Sequence, residues 1–215
     1  MLIMKKLIFV SLIIFLAGCQ SAYYAAWEKV GVEKRDILVD RVEDAKESQE
    51  DAQKQFSSAL DEFSQIVSYN GGELQDVYNQ LKNQFEASEQ SAASVTSRID
   101  KVESVAEALF DEWEEELEKY TNNNLKRESQ NRLRDTQRRY KSLVSSMKKA
   151  ESKMEPVLSA LRDNVLYLKH NLNASAIGAL QGEFNGIKKE INQLVLEMNK
   201  AISESNSFIS SMKSK

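Results

Sequence analysis

From residue 33 onward, apolar and small side chains return in steps of three and four. Interruptions of that rhythm divide the chain into four predicted helices, at about 33–68, 73–120, 125–170 and 175–213. In the first, Leu38, Val42, Ala45, Ala52, Phe56, Ala59, Phe63 and Ile66 form the apolar seam, and "YNGG" at 69–72 ends it, since Asn and Gly tolerate the left-handed backbone of a helix stop. The second carries the longest unbroken pattern. Leu74, Tyr78, Leu81, Phe85, Ser88, Ala92, Val95, Ile99, Val102, Ala106, Leu109 and Trp113 alternate steps of four and three without a slip. Such a heptad specifies left-handed coiled-coil packing, and the predicted helix would be a rod of about 70 Å. "TNNN" at 121–124 supplies the next turn and cap.

The third seam runs through Leu133, Tyr140, Val144, Met147, Met154, Leu158, Leu161, Val165 and Leu168. It contains Pro156, the only proline, which removes a backbone donor and crowds the preceding turn, so a kink or break is expected there. "NLNAS" at 171–175 ends this segment. The fourth seam holds Ile177, Leu180, Phe184, Ile187, Ile191, Leu194, Met198, Ala201 and Phe208. Long helices with short connections pack as antiparallel neighbours. The expected fold class is therefore all-α: a single elongated antiparallel up-down four-helix bundle with coiled-coil packing, spanning residues 33–215.

Composition supports this picture: 29% of the 215 residues are charged, with seven glycines and one proline. The distribution of charge adds a pairing rule. Residues 73–120 hold thirteen acids and four bases, a net −9, whereas residues 125–170 hold twelve bases and five acids, a net +7. The two segments are joined by the Asn turn, so "DEWEEELEK" is expected to face "KRESQNRLRDTQRRYK". Exposed pairs contribute only about 0–1 kcal/mol each, so this charge sets register more than stability.

The chain's first residues follow another logic. Lys5 and Lys6 precede the apolar run "LIFVSLIIFLAG", in the order of a secretory signal and too short to span a bilayer comfortably. Leu16, Ala17, Gly18 and Cys19 resemble a bacterial lipobox. That resemblance implies a signal peptide at 1–18, cleavage before Cys19 and acylation of its thiol, which leaves residues 19–32 as a lipidated anchor segment. The alternative is a plain buried thiol at the end of a helix. Cys19 is the only cysteine, so no disulfide framework competes for it. Gln20, and not aspartate, follows; by the same resemblance this implies the outer membrane, facing the periplasm. Tyr23, Tyr24 and Trp27 are suited either to the headgroup zone or to the bundle.

Candidate chemistry is sparse. The basic run Arg132, Arg134, Arg138, Arg139 and Lys141 is a possible polyanion patch, but the net charge of −4, the export signal and the neighbouring acids favour a solvated face and no nucleic-acid partner. The acidic run Asp111, Glu112, Glu114, Glu115, Glu116 and Glu118 lacks the ligand spacing and turn glycine of a calcium loop, so no metal is expected. His170, the only histidine, has no second histidine or free thiol for catalysis and reads as a helix C-terminal residue beside Lys169. Trp113 lies on the seam and reads as core. The phosphate-binding Gly-rich Lys-Ser/Thr motif does not occur, and neither a cofactor nor a small-molecule substrate is expected. One feature resists this account: Gly178, Gly182 and Gly186 recur every four residues, with Ala174 before them, on the face opposite Ile177, Phe184 and Ile191. Three helical glycines cost roughly 1 kcal/mol each, so either another helix, from this chain or a second copy, approaches closely there, or this half of the helix is weakly ordered.

The stretches "EKVGVEKRDILVDRVEDA", "NGGELQ", "VAEALFDEWEEELEKY", "KMEPVLSALRDNVLYLKHNLNA" and "AIGALQGE" together resemble an uncharacterised family of proteobacterial exported lipoproteins classed only as a domain of unknown function. The likeness covers nearly all of residues 23–212. It implies the helical fold and the lipid anchor, and carries over no catalytic residue. The expected function is a membrane-anchored, non-enzymatic scaffold or partner-binding module of the envelope, joined to an envelope protein or to itself. The alternatives are a periplasmic holdase-like chaperone and a cytoplasmic nucleic-acid-associated coiled coil.

Overall fold

The computed structural model describes residues 33–68 and 74–213, and every secondary-structure element among them is a helix. We name them α1 (Lys34–Val67), α2 (Leu74–Leu117), α3 (Asn123–Glu151), α4 (Met154–His170) and α5 (Ala174–Lys213). The seams buried in them are those the three-four rhythm marks. Leu38, Phe56 and Phe63 of α1, Leu81 and Ile99 of α2, Leu161 and Leu168 of α4, and Leu180 and Leu194 of α5 are all inaccessible or nearly so, within one continuous core. Each such side chain contributes about 1.5–3 kcal/mol by leaving water. The "YNGG" stop, Cys19 with Leu16, Ala17 and Gly18, and the Tyr23, Tyr24 and Trp27 cluster lie outside the described residues.

The expected third helix is divided in two. Pro156 is the third residue of α4 and brings no N–H, so the carbonyl four residues before it, on Ser152, has no helical donor. Ser152 and Lys153 keep right-handed helical dihedrals, and the Lys153 N–H bonds back three residues to the Ala150 carbonyl at 3.1 Å, a tightened turn linking α3 to α4. The other connection is capped as expected. Asn122 turns the chain after α2, and its Oδ1 accepts from the N–H groups of Asn124 (2.9 Å) and Leu125 (3.3 Å).

The helices touch in a ring, with α1 on α2 and α5, and the α3–α4 rod on the same two helices. Where bonded side chains mark a contact between neighbouring helices, the partners run in opposite order. Lys34, Asp44 and Gln55 of α1 meet Glu112, Arg98 and Gln84 of α2; Lys126, Lys148 and Glu151 of α3 meet Glu118, Glu103 and Thr96 of α2. Gln53 of α1 meets Asn199 of α5, while Gln181 of α5 donates to the Val67 carbonyl at the far end of α1. One end of the molecule therefore gathers the start of α1, the Asn turn and the end of α5.

The core is not wholly apolar. Gln49, at the seam position between Ala45 and Ala52, is fully buried with neither amide atom hydrogen-bonded, and the Ser88 hydroxyl is likewise unpaired. Ser205 continues the α5 seam between Ala201 and Phe208, and its hydroxyl donates to the Ala201 carbonyl at 2.8 Å.

Candidate interaction surfaces

The Asn-turn end carries the densest side-chain chemistry. Trp113 is half-buried there and is not the enclosed core residue its seam position predicts; its indole N–H donates to the Ser129 hydroxyl at 2.8 Å, linking α2 to α3. One helical step further in, Phe110 and Tyr140 meet edge to face. Burial pushes the Tyr140 phenol up to about 12, and the carboxylates of Glu103 and Glu107 push in the same direction.

Charges across the α2–α3 hairpin pair only in part as the sequence predicts. Lys126–Glu118 (3.2 Å) and Lys148–Glu103 (2.6 Å) cross the interface, and the latter bond raises the Lys148 pKa. Further along, Arg162 of α4 reaches Glu89 of α2 at 3.6 Å and lies over the Phe85 ring. The basic run behaves differently. Arg132 pairs with Glu128 (2.9 Å) and Arg138 with Asp135 on α3 itself, and Arg134 donates to Asn131. Side chains three and four residues apart on one helix are nearer than those on the next, so local partners win. Arg139 and Lys141 are exposed. In the acidic run, Glu112 pairs with Lys34 of α1 at 3.0 Å, whereas Asp111, Glu114, Glu115, Glu116 and Glu118 face solvent.

Two open grooves follow helix boundaries. The α1–α2 groove, about 340 Å³, is lined by Asp44, Glu47, Asp51, Ser48, Ser94 and Arg98; Asp44 accepts from Arg41 (3.2 Å) and Arg98 (2.9 Å), and Ser48 and Ser94 bond to each other at 3.1 Å. The α3–α5 groove, about 420 Å³, lies between Arg138, Arg139 and Ser142 on one side and Glu204, Ser207 and Phe208 on the other. Near its end, bonds from Lys149 and Lys200 hold the Glu197 carboxyl below its ordinary pKa. Among the described residues no cluster of three His, Cys, Asp or Glu side chains is arranged to hold a metal. His170 is the last residue of α4, beside Lys169.

The glycine strip is exposed. Gly178, Gly182 and Gly186 each have open space where a Cβ would stand, so among the described residues no other helix approaches the strip closely. Leu196, further along α5, is 60% exposed.

Seam, grooves and charge pattern define an all-helical protein with elongated charged faces. The chain belongs to a family described as a protein of unknown function (DUF2959), whose model matches residues 23–212. No curated protein and no solved structure matches it. Among the described residues, no helix is long and apolar enough to cross a membrane.

Proposed function

We propose that this protein is a lipid-anchored envelope protein, attached through Cys19 to the periplasmic face of the outer membrane, in which an elongated up-down four-helix bundle serves as a non-enzymatic scaffold that holds a partner. The observation carrying this reading is the order Lys5-Lys6, apolar run, Leu16-Ala17-Gly18-Cys19 at the head of a chain whose remaining apolar residues form helical seams. The opposite running order of the bonded side-chain pairs between α1 and α2, α1 and α5, and α2 and α3 supports the up-down bundle. Thirteen residues separate Cys19 from Glu33, a tether of at most about 50 Å when extended. Several acyl chains, at about 0.8 kcal/mol per buried methylene, hold a protein on a bilayer where one does not.

Cells producing the full-length protein and fed labelled palmitate test the anchor. Label is expected on the protein, lost in Cys19→Ser, with a precursor accumulating under globomycin; an unlabelled, unprocessed protein overturns the reading.

The second reading, a holdase, draws on Leu166, Tyr167 and Leu172, which are exposed near the α4–α5 turn. Suppression of client aggregation by the purified protein, lost in Leu166→Ser with Leu172→Ser, would favour it over the scaffold.

A further inference from the structure

We infer that the outer face shared by α2 and α3 binds a second copy of this chain, the two bundles lying side by side and parallel with acid on base. On α2, Asp100, Glu107, Asp111, Glu114 and Glu118 fall within an arc of about 60° at 100° per residue, directed away from the Ile99, Val102 and Ala106 seam, and all five are exposed. On α3, Arg127, Arg134, Arg138 and Lys141 occupy a similar arc of about 60°, away from Leu133 and Leu143, and all four are exposed. The Phe110–Tyr140, Glu114–Gln137 and Glu118–Lys126 contacts fix the relative heights of the helices. They set Glu107 level with Lys141, Glu114 with Arg134 and Glu118 with Arg127. The face is thus an acidic stripe beside a basic one.

Symmetry decides what such a face accepts. A twofold axis parallel to the stripes lays each acidic stripe on the partner's basic stripe at equal height; an axis across them sets acid on acid. The parallel arrangement also puts the start of α1 at the same end in both copies, as two proteins tethered to one surface require. An anionic bilayer or a nucleic acid meets attraction and repulsion together on this face, which leaves a second copy as the complementary occupant. Glu107, Asp111, Arg134 and Lys141 make no ion pair among the described residues and remain available.

The stripes cover about 27 Å by roughly 20 Å, some 500–600 Å² per copy, below the ~800 Å² of a standard stable interface. The contact is therefore weak and salt-sensitive in free solution, and tethering supplies the concentration that makes it effective on a membrane. The contact rests on the α2–α3 charges alone; only its strength on a bilayer rests on the anchoring proposed above.

The test uses the full-length protein in a neutral detergent, followed by sedimentation at 50 and 300 mM salt. Wild-type association should weaken at least tenfold over that range. A predominantly acidic face (Arg134→Glu with Lys141→Glu) and a predominantly basic face (Glu107→Lys with Asp111→Lys) should each leave the protein monomeric, and an equal mixture of the two double variants should form a heterodimer tighter than wild type. A monomeric mixture of variants that keep the wild-type helical signal overturns the proposal, as does self-association of either variant at the wild-type level. Independently of any variant, carbodiimide treatment of mixed light and heavy-isotope wild-type protein should give Glu107–Lys141 crosslinks of mixed mass; crosslinks purely within one copy overturn it. Binding of the predominantly basic variant to phosphatidylglycerol vesicles without a heterodimer would assign the face to lipid and likewise overturn it. Cys19→Ser should retain the detergent association, so an unlabelled Cys19 would remove the anchor and leave this contact standing.

Discussion

Phe110 of α2 and Tyr140 of α3 meet with ring centres 5.3 Å apart and planes inclined at 72°, the edge-to-face arrangement in which the positive edge of one ring meets the negative face of the other. The phenol is held there beside Glu103 and Glu107, and its pKa is raised to about 12.

This contact predicts an alkaline weakness. An unfolded tyrosine releases its proton near pH 10, while the folded one keeps it to about 12, so between those values the native state binds more protons and stability falls as pH rises. The loss should reach roughly 1 kcal/mol after allowance for the ring's partial solvent contact. Thermal melts at pH 9, 10, 11 and 12 should show this decline reduced in Tyr140→Phe; an equal decline in both proteins would assign it to other groups.

Ser129→Ala removes the acceptor of the Trp113 indole N–H and should cost about 0.5–1.5 kcal/mol, the net worth of one partly solvated hydrogen bond. With Trp27→Phe as background, Trp113 is the sole fluorescent tryptophan. Its emission should shift on the serine substitution while helical content stays constant. An unshifted emission with an unchanged melting point would show that water replaces Ser129 without loss.

The fold was legible because burial in this chain occurs along helices, where the three-four rhythm reports it directly. Leu81, Ile99, Met147 and Ile191 are all buried as the spacing predicts. Gln49 and Ser205 were missed for the same reason: a rhythm read from apolar side chains skips polar ones, although Gln49 stands where Ala45 and Ala52 leave one seam position empty. Charge showed which helices are neighbours but not which residues pair, since Arg132 and Arg138 find acids three and four residues away on their own helix. Trp113 kept its place on the seam, yet stands near the end of α2, where the bundle encloses only part of the ring.

Gln49 predicts a gain in stability. Its amide leaves water on folding and finds no partner, a cost of about 1–3 kcal/mol. Gln49→Leu keeps a similar volume and fills the seam with an apolar side chain, so the stability measured by chemical denaturation should rise by about that amount. A lower denaturation midpoint would show that the amide is bonded in solution, through water, and that this polar layer sustains the bundle.

The glycine strip separates two physical situations by the sign of one measurement. With open space at all three positions, alanines at Gly178, Gly182 and Gly186 meet no obstacle and remove the conformational freedom that glycine loses on folding, at about 0.8–1 kcal/mol per site. The triple alanine variant should therefore gain about 2–3 kcal/mol, or roughly 5–10 °C in melting temperature for a protein of this size. Gly182→Leu, whose longer side chain also projects into solvent, should leave assembly unchanged and gain slightly less than ~1 kcal/mol, since leucine is nearly as good a helix former as alanine. If a second copy packs backbone to backbone on this strip, the leucine will instead disrupt assembly, and the alanines will stabilise the free protein while weakening the complex. Melting curves at two protein concentrations a hundredfold apart distinguish these cases, because only the second makes the effect of substitution depend on concentration.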